Sequence, residues 1–150
     1  MDEIKKIYSK FDDLPKFEDV DHEFEISTVE EEGFVLRNIR RKIIEKIAKY
    51  TENLNNILQP ENTLVQMYEC KFFTEKEKAD LLTLIKSLMV IQRYSLEVDI
   101  SDSDKANAEF IKFAYDEWIK MKDKLVDIAK KLKDSWEKEE SKSEKISYFG

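Results

Sequence analysis

Apolar residues recur along this chain at spacings of three and four, the repeat of a helix with one buried face, not the alternation of a strand. Leu36, Ile39, Ile43, Ile47, Tyr50, Leu54 and Ile57 draw one such stripe and predict a helix over residues 27–59. Ser27 with Glu30 predicts a capping box at its start, and Glu30, Glu31 and Glu32 put negative charge at the positive end of the helix dipole. Gly33 then falls in the first turns, at an expected cost of about 1 kcal/mol, and Pro60 stops the helix. A shorter helix is predicted over 61–72.

Thr74 and Glu77 form a second capping box and open a helix over 75–98. Its Leu81, Leu82, Leu84, Ile85, Leu88, Met89, Ile91, Leu96 and Val98 cover more than half of the circumference, which predicts a central helix touched by at least two others. Residues 101–104, Ser-Asp-Ser-Asp, cap a third long helix over 105–140 with a stripe through Phe110, Ala114, Trp118, Met121, Leu125, Ile128, Leu132 and Trp136. The expected fold is all-α, an antiparallel bundle of three long helices plus short accessory helices. Its expected divisions are an acidic, flexible arm (1–26), the bundle (27–140) and a flexible C-terminal tail (141–150).

Composition narrows this further. The 150 residues include two glycines and two prolines, too few turn residues for a β-sandwich or a collagen. One cysteine, Cys70, excludes an internal disulfide framework and suits a reducing compartment. No apolar run approaches the roughly 20 residues that span a bilayer, and the first residues lack a secretory apolar stretch, so a cytoplasmic location with no membrane contact is expected. The net charge of −7 is concentrated in one segment. Residues 12–32 hold ten acids against Lys16, a net of −9, and self-repulsion there predicts an extended arm.

Candidate chemistry is sparse. The single histidine, His22, lies in the acidic segment with no sequential nucleophile or second nitrogen ligand. Asp99, Asp102, Asp104 and Glu109 suggest a calcium loop, but the sixth position from Asp102 is Asn107 in place of glycine and the twelfth is Phe113 in place of glutamate. Helix capping accounts for the cluster. No Glu-x-x-His pair and no glycine-rich phosphate cradle is present, so no enzyme activity, cofactor or metal is expected.

The more informative residues are apolar or basic. Ile111, Tyr115, Trp118 and Ile119 point in most directions around the third helix, and a three-helix core cannot easily cover them all; they are candidate protein contacts. Arg40 and Gln92 fall on or beside apolar stripes, where each needs a local partner or a covering chain. Arg37, Arg40 and Arg41 start a basic helix face, a candidate for nucleic acid or for an interface, although Glu45 and Glu52 interrupt it. The leading expectation is a non-enzymatic interaction module, a subunit or adaptor of a protein complex, with nucleic-acid binding as the alternative.

Two resemblances point to DNA replication. Residues 36–41, Leu-Arg-Asn-Ile-Arg-Arg, opening a long helix, and Phe72-Phe73 followed by Leu82, Ile85 and Leu88 resemble the helical α-domain of GINS replication subunits over about 34–98. That family also carries a small β domain, whereas 99–150 reads as another long helix. The resemblance implies a non-enzymatic subunit whose helices pack against sister subunits. Ile146, Tyr148 and Phe149 resemble the sliding-clamp-binding peptide of replication and repair proteins, with Ser143 in place of its glutamine and Gly150 in place of its second aromatic. This implies a sliding clamp as a partner, with aliphatic and aromatic anchors entering a pocket.

Overall fold

The apolar stripes of three long helices meet around one core in the computed structural model, which describes residues 2–30 and 33–137. In chain order these residues form α1 (Asp2–Tyr8), α2 (Phe17–Phe24), a 3-10 turn (Ile26–Thr28), α3 (Val35–Leu58), α4 (Leu64–Cys70), α5 (Glu75–Ser101) and α6 (Asp104–Glu137). No strand occurs among the described residues. Helices α3, α5 and α6 pack against one another, as the all-α bundle requires. Their directions follow from the polar ties between them. Arg37 meets Asp102, Arg40 meets Asp99 and Thr51 meets Gln92, so α5 runs antiparallel to α3. Arg40 also meets Asn107, and Tyr50 meets Trp118, so α6 runs parallel to α3.

The helix starts show which local signals operate. Thr74 and Glu77 close the capping box at the start of α5. Thr63 accepts from the Gln66 backbone N–H and starts α4 later than the pattern alone predicts. Ser27 caps nothing. Its N–H donates to Asp21 Oδ1 at 2.7 Å, and α3 begins at Val35 after Phe34 takes a left-handed conformation, so Gly33 stands outside the helix. Asp102 also takes the left-handed conformation and ends α5, leaving a link of two residues before α6.

The main departure from expectation is the acidic arm. It is not extended. It forms α1 and α2, which bury Ile4, Tyr8, Phe17, Val20 and Phe24 in the common core. The reason is spacing: Phe17, Val20 and Phe24 lie three and four apart, while Glu18, Asp19 and Glu25 turn outward and keep their water. The tyrosine hydroxyl of Tyr8 donates to the Pro15 carbonyl at 2.5 Å and ties α1 to the segment before α2. The expected tail, with Ile146, Tyr148 and Phe149, and the last residues of the predicted third helix lie outside the described residues.

Candidate functional site

The arginines come first. Arg40 is 3% exposed, and each of its three guanidinium nitrogens has an acceptor. Its Nε donates to Asn107 Oδ1 at 2.8 Å, one terminal nitrogen to the Ser95 hydroxyl at 2.9 Å, and the other to Asp99 Oδ1 at 2.8 Å. Arg40 therefore pins all three long helices from within, and it is not available to a nucleic acid or a second chain. Arg37 donates from Nε to Asp102 Oδ1 at 3.0 Å and lies over the Phe34 ring, 4.0 Å from its centroid. Its guanidinium holds the Asp102 carboxyl below the usual carboxylate range. Two of the acids that suggest a calcium loop are thus committed to arginines. Only Arg41 of the three stands exposed, beside Glu45, so the basic face is shorter than the sequence implies. Gln92 is half-buried and donates to Thr51 Oγ1 at 2.9 Å, a local partner within the bundle.

The aromatic cluster of α6 has a different role from the one expected. Ile111 and Trp118 are buried inside the protomer and so form no outward contact. Trp118 sits between the rings of Phe24 and Tyr50, each centroid 5.6 Å away. Its Nε1 donates to Glu23 Oε1 at 2.8 Å, and Lys122 Nζ donates to Glu23 Oε2 at 2.8 Å. Lys46 adds a bond to the Glu23 carbonyl and lies over the Trp118 ring. Burial raises the Glu23 carboxyl, and the bonds from Lys122 and Trp118 more than reverse this, so it titrates below its ordinary range. Tyr115 is half-buried and Ile119 is exposed.

A further group of exposed apolar side chains lies elsewhere, on α5. Leu81, Leu84, Leu88, Ile91, Ser95 and Val98 face the core. On the opposite side Leu82, Val90, Leu96 and Ile100 stand exposed, with Ile100 at 83%. Met89 is half-buried among them. The sequence already hints at this, because apolar residues covering more than half of a helix exceed what two neighbours can hide. Beside this face, a groove of about 490 Å³ runs between α5 and α6. Its floor includes Leu84 and Met121, and its rim alternates Lys120 and Lys124 with Glu117 and Asp127.

At the far end of the groove, hydrogen bonds from Lys131 and from the Thr74 backbone hold the Glu77 carboxyl down at about 2. Lowered carboxylates contribute stability above their unfolded value, near 4.5, and lose it as pH falls through the folded value. Glu77→Gln should therefore be less stable than wild type at pH 6, and the gap should close as pH approaches 2. Urea midpoints at several pH values measure this; a gap that stays constant would remove the carboxylate from the account.

Among the described residues, no group of three or more His, Cys, Asp or Glu side chains could hold a metal, and no helix is long and apolar enough to cross a membrane. No protein-family model matches the chain, and comparisons with curated proteins and with solved structures give no match either.

Proposed function

We propose that the chain is a non-enzymatic interaction module, a subunit or adaptor that associates with other protein through the outward face of α5. One observation supports this above the others. Leu82, Val90, Leu96 and Ile100 stand exposed, among Lys86, Arg93 and Glu97, on a helix whose other side is already buried. Several large apolar side chains exposed on one helix face favour a contact surface, since a single chain gains nothing by leaving them in water. The charged groups with precise geometry, Arg37, Arg40 and Glu23, hold helices to one another and offer no reacting centre. A role in DNA replication enters this reading only through the resemblance of residues 34–98 and through Ile146, Tyr148 and Phe149.

Gel filtration of an extract from the native source, read with an antibody, tests the reading. The wild-type chain should elute well above 17.9 kDa. Leu96→Lys with Ile100→Lys, both on exposed positions, should return it to the monomer position. Elution of the wild type as a monomer in the extract, with the purified chain also monomeric at about 200 μM, would overturn the proposal.

A further inference from the structure

We propose that the occupant of the outward face of α5 is a second copy of this chain, laid antiparallel along the same helix. This rests on the interaction reading above and names its partner. The face carries a continuous second seam: Leu82, Lys86, Met89, Arg93, Leu96 and Ile100 follow one another at four, three, four, three and four residues. Four of the six are apolar, and the seam lies about half a turn around α5 from the residues in the core.

The two charged positions in the seam decide the orientation. In a parallel pair, Lys86 would face Lys86 and Arg93 would face Arg93 at the centre of the contact, where like charges repel. In an antiparallel pair centred near Ile91, Leu82 meets Ile100 of the second copy, Lys86 meets its Leu96, and Met89 meets its Arg93. Each cation then lies along an apolar neighbour and carries its head out to water. Lys86 comes level with Glu97 of the second copy, on the same side of the seam, and the two-fold axis makes that pair twice. Val90, 57% exposed, approaches its own copy at the axis. Two charged layers in a short seam predict a weak, concentration-dependent dimer and a fixed orientation.

Sedimentation equilibrium of the purified full chain between about 2 and about 200 μM tests this, because mass action makes dimer content follow concentration. The mass should rise from 17.9 kDa towards twice that value. Leu96→Lys with Ile100→Lys should abolish the rise, with an unchanged circular dichroism spectrum. Lys86→Glu places like charges together twice and should raise the dissociation constant about threefold or more. Adding Glu97→Lys should restore it to within about twofold, since the pair is reversed and not lost. A wild-type chain that stays monomeric at the highest concentration would overturn the proposal, as would a dimer that ignores the double lysine variant or a charge swap that fails to rescue. A purified monomer alongside a large species in the native extract would end the second-copy proposal and leave the interaction reading standing. A monomer in both would end the two together.

Discussion

Replacing Arg40 by methionine is expected to lower the unfolding free energy by about 3 kcal/mol or more. Methionine keeps most of the aliphatic stem and removes all the donors. Asn107 and Ser95, 2% and 5% exposed, are then left with a buried oxygen that no water reaches, and each such orphan costs about 1–3 kcal/mol. The ion pair itself contributes least, because the Asp99 side chain is 52% exposed and well hydrated. Asp99→Asn should accordingly cost less than about 1 kcal/mol. Arg40→Lys should behave more like the methionine variant than like wild type, since one ammonium cannot reach three partners on two helices. Urea denaturation of the three variants separates these contributions. Equal losses in Arg40→Met and Asp99→Asn would show that charge, and not buried hydrogen bonding, dominates here.

Trp118→Ala should cost about 3–5 kcal/mol, and the loss should be local in its first effect. The substitution removes the ring that fills the space between Phe24 and Tyr50 and takes the indole donor from Glu23. Trp118 ties helix α2 to α6, so the amides of α2 should exchange hydrogen faster, with those of the 3-10 turn, while the centre of α5 keeps its protection. Trp118→Phe retains a ring and loses only the donor, so its cost should be about 1–2 kcal/mol. Domain stabilities are about 5–15 kcal/mol, which makes the alanine variant best measured near the temperature of maximum stability, about 10–20 °C. A uniform rise in exchange over α2, α3 and α5 would sink the idea of a locally clasped arm.

The long helices were legible because their signals are local. Stripes at three and four, Thr74 with Glu77, and Pro60 place α3, α5 and α6 to within a few residues, apart from the start of α3. That start moved because Phe34 takes a left-handed conformation against the Arg37 side chain, and Ser27 gives its N–H to Asp21. The arm was hidden by its own charge: ten acids in residues 12–32 read as self-repelling, and the three apolar positions Phe17, Val20 and Phe24 were outnumbered. The error then spread to Ile111 and Trp118. With no fourth cover in view, a three-helix core left them uncovered, whereas α1 and α2 join the same core and α2 covers Trp118. The partners of Arg40 lie 55 to 67 positions away along the chain, a distance over which spacing carries no information. The second seam of α5 was present in the circumference count, but an excess of apolar residues on one helix does not say which of them remain outside.

The arm also settles where the excess negative charge resides. It fills the flank between α3 and α6, on the far side of the molecule from the outward face of α5. Two copies joined along α5 would carry their acidic flanks at opposite extremes, separated by more than the roughly 8 Å over which charges act in physiological salt. A third copy would find both adhesive faces already consumed. Growth would stop at two, with no chain-long filament to follow.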